Sequence, residues 1–163
     1  MTRGYRNNNP GNIRKSASPW IGQVLPGDDD AFCTFTTMGY GYRAMFVLLQ
    51  NYINKGFNTI DKIINRWAPS SENNTQAYIG NVVARTGINK DQLIEYSDGE
   101  TMKLLVAAIS YQENGTAPNF TDVAKGYELT GQIQTVETVG VSLAAIVLIS
   151  SLAFAAFQYL KVK

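Results

Sequence analysis

Apolar side chains recur at helical spacing along much of this chain. In DGETMKLLVAAISYQENG, Met102, Leu105, Val106 and Ile109 make one stripe, and one more turn brings that stripe to Glu113. At about 100° per residue, Glu113 lies within about 20° of Met102 around the helix, on the last turn before Gly115 stops it. Gly39 to Lys55 repeats the pattern with Met45, Leu48, Leu49, Tyr52 and Ile53 inward, and Gly56 as the stop. Asn58 is placed to cap a shorter helix through Arg66, with Ile60, Ile63 and Ile64 inward. Pro69 ends it, and Trp67 sits at the bend. Thr75 to Arg85 carries Tyr78, Val82 and Val83 on one side and meets Gly87. Asn89 is expected to open a short helix through Tyr96, and Asp98 to cap the helix that ends at Glu113.

Other stretches break this rhythm. Lys15 to Thr37 alternates apolar and polar residues around a PGDDD turn, which predicts a small β-hairpin with Trp20, Ile21, Val24, Phe32 and Phe35 as its apolar positions. RNNNPGNIR, from Arg6 to Arg14, suits neither helix nor strand. Residues 119–137 are polar with scattered apolar positions and read as a linker or an amphipathic extension. Residues 138–160 hold no charged side chain and are strongly apolar, which predicts a single transmembrane helix, with Tyr159 at the interface and Lys161 and Lys163 beyond it. The expected fold class is mainly α (α+β): a helical domain over 1–118 with the small hairpin, the 119–137 segment, and the membrane helix.

Composition narrows the chemistry. The 163 residues suffice for one domain with a real core, and a formal net charge of +1 provides no field for nucleic acid. There is no histidine, so His-based triads and nearly all catalytic zinc sites are excluded. The single cysteine, Cys33, forms no internal disulfide and reads as a small core residue. No cofactor or metal motif is present: there is no P-loop, no GxGxxG and no zinc spacing. The first residues carry no signal-peptide core. Acid–base chemistry, where it occurs, falls to Asp, Glu, Tyr or Lys. Glu113 is the candidate, because an apolar surrounding favours the protonated form of a carboxylic acid and so suits a proton donor; a half-exposed helix end is the plainer reading. The asparagines of RNNNPGN can brace their own loop as Asx turns or grip a sugar.

AAISYQENG resembles the catalytic-helix signature of lytic transglycosylases and goose-type lysozymes, in which a glutamate follows an apolar helix and precedes a small polar residue. The resemblance implies that Glu113 is the general acid, with Asn114 in place of the usual serine. RNNNPGNIR, FTTMGYGYRAMFVLLQNY and IINRWAPSSENNTQAYI together resemble a group of phage virion proteins. Their order is similar to the body of the bacterial glucosaminidase family of peptidoglycan hydrolases. This likeness covers about residues 3 to 118. It implies a lysozyme-like domain in which Asn8, Asn9, Asn12, Trp67, Tyr78, Tyr111 and Asn114 bind substrate beside Glu113. In those enzymes the catalytic helix comes first, whereas here it comes last, so the chain resembles a circular permutant.

Two chemical routes follow from the resemblance. A lytic transglycosylase needs one glutamate, and a hydrolase needs a second carboxylate. Asp28, Asp29, Asp30 and Glu72 are the candidates for the second, and none stands out. The implied partners are peptidoglycan glycan strands, the lipid bilayer of a virion with an internal membrane, and capsid proteins. The implied location is that membrane, or the host inner membrane during assembly, with the orientation left open. The alternative is a non-catalytic structural virion protein that tethers capsid to membrane.

Overall fold

The computed structural model describes residues 1–71 and 74–131. Six helices follow in order: α1 Arg3–Arg6, α2 Met38–Asn54, α3 Ile60–Trp67, α4 Thr75–Thr86, α5 Gly99–Asn114 and α6 Phe120–Glu128. Helix α2 packs against α6, and α5 lies between α4 and α6. Tyr42, Met45, Phe46 and Leu49 of α2 meet Met102, Leu105, Val106 and Ile109 of α5 in one core, and all of them are fully buried. The Tyr42 hydroxyl and Ser110 Oγ lie 3.1 Å apart inside it, which satisfies two polar groups that burial would otherwise penalise.

Each helix has a sequence reason. The Asp98 side chain accepts from the Thr101 N–H and opens α5, while Gly115, left-handed at φ 64°, closes it. Asn74 and Gly87 do the same for α4. In α3, Ile60, Ile63 and Ile64 are fully buried, and Asp61, Asn65 and Arg66 face away. Burial of each isoleucine contributes about 1.5–3 kcal/mol, enough to hold so short a helix in place. Thr59, one residue after the expected Asn58, caps α3 by accepting from the Lys62 N–H. The Asn58 carbonyl instead accepts from the Ile94 N–H at 2.8 Å.

That bond explains one departure from the periodicity. Asn89 to Tyr96 forms turns and irregular backbone rather than a helix. Its peptide groups pair with the α2–α3 connection and the start of α3, through Ile94 N–H to the Asn58 carbonyl and Asp61 N–H to the Lys90 carbonyl. Tertiary partners have displaced the local ones.

The predicted hairpin is a second departure. No regular strand occurs among the described residues; Lys15 to Thr37 contributes two isolated antiparallel bridges, Arg14 with Phe32 and Gln23 with Phe35. Pro19 and Pro26 have no N–H to give a ladder, and the Phe35 N–H goes to the Asn7 carbonyl. The described domain is therefore mainly helical with a long irregular loop, and the α+β description is corrected.

Residues 120–128, within the stretch read as linker or amphipathic extension, form α6, with Val123 and Tyr127 in the core. No helix among the described residues is long and apolar enough to cross a membrane. The expected span at 138–160 lies outside the described residues.

Candidate functional site

The RNNNPGNIR segment is a braced loop whose asparagines have different tasks. Asn7 donates to Asp29 Oδ2 at 2.8 Å, and Asn8 donates to the Phe35 carbonyl at 3.0 Å. Asn9 is fully buried; it donates to the Ile13 and Cys33 carbonyls, and its oxygen accepts from the Ile13 N–H. Asn8 and Asn12 both adopt positive φ, 50° and 47°, a region that asparagine enters more readily than most residues. The loop lies directly on α2 at Gly41, where any Cβ would collide with the Asn8 carbonyl oxygen and Pro10. Only glycine allows that approach.

Asn114 fastens this loop to the end of α5. Its amide nitrogen donates to the Pro10 carbonyl at 2.8 Å and to the Ser110 carbonyl at 3.0 Å, and its oxygen accepts from Thr2 Oγ1 at 2.8 Å. Clamped in this way, the loop delivers Asn12 to Glu113. The Asn12 amide donates to Glu113 Oε2 at 3.0 Å. Trp67, on the last residue of α3, donates its indole N–H to Oε1 at 3.0 Å. The Tyr78 hydroxyl, from α4, donates to the same Oε1 at 2.9 Å. The carboxylate of a single α5 residue thus collects donors from three other segments.

Oε1 with two donors has both lone-pair directions occupied, while Oε2, with one donor among the described residues, keeps a direction open. Burial, and then the neighbouring Glu113 charge, push the Tyr78 hydroxyl well above its ordinary range, so it stays a donor at any physiological pH.

Glu113 opens onto a cleft of about 470 Å³ lined by Arg3, Asn12, Arg14, Phe32, Tyr52 and Trp67 among others. Among the described residues lining it, Glu113 is the only acid. Asp28 and Asp30 are exposed and do not line the cleft. Asp29 is buried and engaged: it accepts from Asn7, from Arg3 Nε, and from the Ala31 and Phe32 N–H groups. The Asn7 amide above all, followed by the Phe32 N–H, holds its carboxyl well below the usual carboxylate range. Glu72 lies outside the described residues. No three His, Cys, Asp or Glu side chains among the described residues are grouped as metal ligands.

Of the residues expected to bind substrate, Asn12, Trp67 and Tyr78 surround Glu113. Asn8, Asn9 and Asn114 are engaged in holding the loop, with backbone acceptors for their amides. Tyr111 lies elsewhere, under the Arg85 guanidinium at 3.2 Å, beside Leu104 and Pro118. The sequence reading missed Arg3 and Phe32 in the cleft, and Tyr52 as a cleft wall rather than core. Arg3 lies one helical turn before the asparagines, and no spacing rule ties it to Phe32.

No known family profile matches the chain. Protein P5 of Pseudoalteromonas phage PM2 is 37% identical to it over 131 residues, spanning 77% of this chain and 80% of that protein. The chain belongs to the Protein P5 family. The expected likeness to a phage protein is thereby established, whereas the kinship shows no lysozyme or transglycosylase activity.

Proposed function

We propose that this member of the Protein P5 family is a virion protein that cleaves peptidoglycan glycan strands with Glu113 as acid and then base. The observation that carries the reading is the Glu113 carboxylate, oriented by Asn12, Trp67 and Tyr78 at an open cleft that holds no other acid among its described lining. A surface glutamate at a frayed helix end has no such set of donors.

One carboxylate suits the transglycosylase route. Protonated Glu113 gives its proton to the glycosidic oxygen as the C1–O bond breaks. The resulting carboxylate stabilises the positive charge at C1. It then takes the proton of the same sugar's 6-hydroxyl, whose oxygen closes on C1. The product is a 1,6-anhydro sugar, no water is consumed, and Glu113 ends protonated. Oε2, with its open direction, is the oxygen suited to carry that proton, while Trp67 and Tyr78 hold Oε1.

Permutation also finds support. Thr2 and Pro10 are both bonded to Asn114, so the asparagine loop sits against the end of α5, where a segment following that helix would run in an enzyme of the usual order. Clearing of purified sacculi by the full-length protein tests the function, alongside Glu113→Gln. Clearing by the wild type alone supports it. Absence of clearing by a folded wild type overturns it and favours a purely structural role in the particle.

A further inference from the structure

The cleft carries more positive charge than its chemistry at Glu113 requires. Arg3 and Arg14 both line it, and both guanidinium groups lie against the Phe32 ring, at 4.6 and 4.9 Å from its centroid. The backbone sets this arrangement: Arg14 and Phe32 form an antiparallel bridge, flanked by Lys15 N–H to Ala31 and Cys33 N–H to Ile13. Arg3 is oriented from behind, because its Nε donates to Asp29 at 2.8 Å while the Asp29 side chain is only 6% exposed.

The remaining donors are open. Among the described residues, Nε is the one Arg3 guanidinium nitrogen with a protein acceptor, and the Arg14 guanidinium has none. Neither arginine forms an ion pair with Glu113. Arg3 has Asp29 as its counter-charge and Arg14 has no ion-pair partner among the described residues. Two planar forks with free N–H edges, stacked on one aromatic ring beside a glycan-sized cleft, match a carboxylate in geometry and charge.

Resting on the glycan-cleavage reading, we propose that Arg14 and Arg3 form a carboxylate subsite of this cleft, which selects peptidoglycan over uncharged strands of the chitin type. Every second sugar of peptidoglycan bears a lactyl ether. Its carboxyl group is either free or amide-linked to a stem peptide with carboxylates of its own. Chitin has the same backbone linkage and no carboxylate. Arg14, unbalanced by any acid among the described residues, supplies most of the discrimination, and Arg3 supports it.

The test uses the full-length chain. Binding is measured with Glu113→Gln, so that the strand remains intact. The ligands are soluble strands with stem peptides, strands stripped of peptides by an amidase, the same strands with carboxyls converted to amides, and chitin oligomers of equal length. Strands with free carboxylates bind at least about tenfold tighter than amidated strands or chitin. Adding Arg14→Gln collapses that ratio to about twofold or less, and Arg14→Lys retains part of it because the charge survives without the fork. Whether peptide-bearing or stripped strands bind more tightly tells the stem-peptide carboxylates from the lactyl group. Thermal unfolding of each variant confirms that it is folded.

Cleavage by the wild type separates this inference from the reading beneath it. Equal cutting of native and amidated sacculi overturns the subsite and leaves glycan cleavage standing. Carboxylate-dependent binding without cleavage overturns the enzymatic reading and leaves the subsite. Equal affinity for all four ligands, or no binding to any, overturns the subsite.

Discussion

Asn12 donates its side-chain amide to Glu113 Oε2 at 3.0 Å across 101 positions of sequence. The bond joins a loop residue held at φ 47° to the last turn of α5. If it orients the carboxylate, Asn12→Gly lowers kcat about 100-fold, since small misplacements of a catalytic group have effects of that order. Glycine tolerates the positive φ, so thermal stability changes little. Asn12→Ala loses the same activity and also unfolds more readily, by about 1–2 kcal/mol, because alanine is strained in the left-handed region. Steady-state kinetics and denaturation of the two variants separate orientation from folding.

Trp67 and Tyr78 share Glu113 Oε1, so they are coupled. Trp67→Phe and Tyr78→Phe each remove one donor while keeping an aromatic side chain. Each lowers kcat about 10- to 100-fold, the range for a hydrogen bond to a charged group. The double variant is expected to fall short of the product of the single effects or to exceed it, since neighbours on one atom are not independent. A double-mutant cycle on kcat measures the coupling, and independent effects would argue against a shared role.

Asn114 clamps the asparagine loop to the end of α5. Asn114→Ala leaves the Pro10 carbonyl and the Thr2 hydroxyl without their partner. The loss is about 2–3 kcal/mol, or roughly 10 °C in Tm. Asn114→Ser, which restores the residue usual in the enzymes this helix resembles, is no remedy, because a hydroxyl on one carbon cannot span to both partners. Scanning calorimetry of the two variants checks this.

Asp29 makes stability depend on acid. Its folded-state pKa is depressed, chiefly by the Asn7 amide. The stability it contributes is therefore present above the unfolded value of about 3.9 and is lost as pH falls below it toward the folded value. The wild-type Tm should drop steeply below about pH 4. Asp29→Asn should be less stable at neutral pH and show a shallower acid limb. Tm measured against pH in both proteins decides; parallel curves would contradict it.

How much of this was legible in the sequence depended on where each residue's partners lie. The α5 stripe and Glu113 were readable because the core positions and the acid share one helical period, and because Asp98 and Gly115 mark both ends locally. The Asn89–Tyr96 turn was misread as helix because its backbone partners, Asn58 and Asp61, lie on the far side of α4 in the chain and leave no trace in its own pattern. The hairpin was misread for a related reason: alternation around Phe32 and Phe35 is real and Gln23 does bridge Phe35, but the Cys33 and Phe35 N–H groups go to Ile13 and Asn7 in the asparagine loop, so the pairing stays at isolated bridges. Within that loop, composition could not tell the bracing Asn9 from the site-facing Asn12. The difference lies in which acceptor each amide reaches. Arg3 and Phe32 were invisible as a pair because only folding brings them together.

The most direct test of the central claim is the product released from purified peptidoglycan. Mass spectrometry of strands digested by the full-length protein should show chains ending in 1,6-anhydro sugars. Glu113→Gln should release at least about 100-fold less, as expected when the group that transfers the proton is removed. Equal release by the wild type and Glu113→Gln, both folded, would contradict the account.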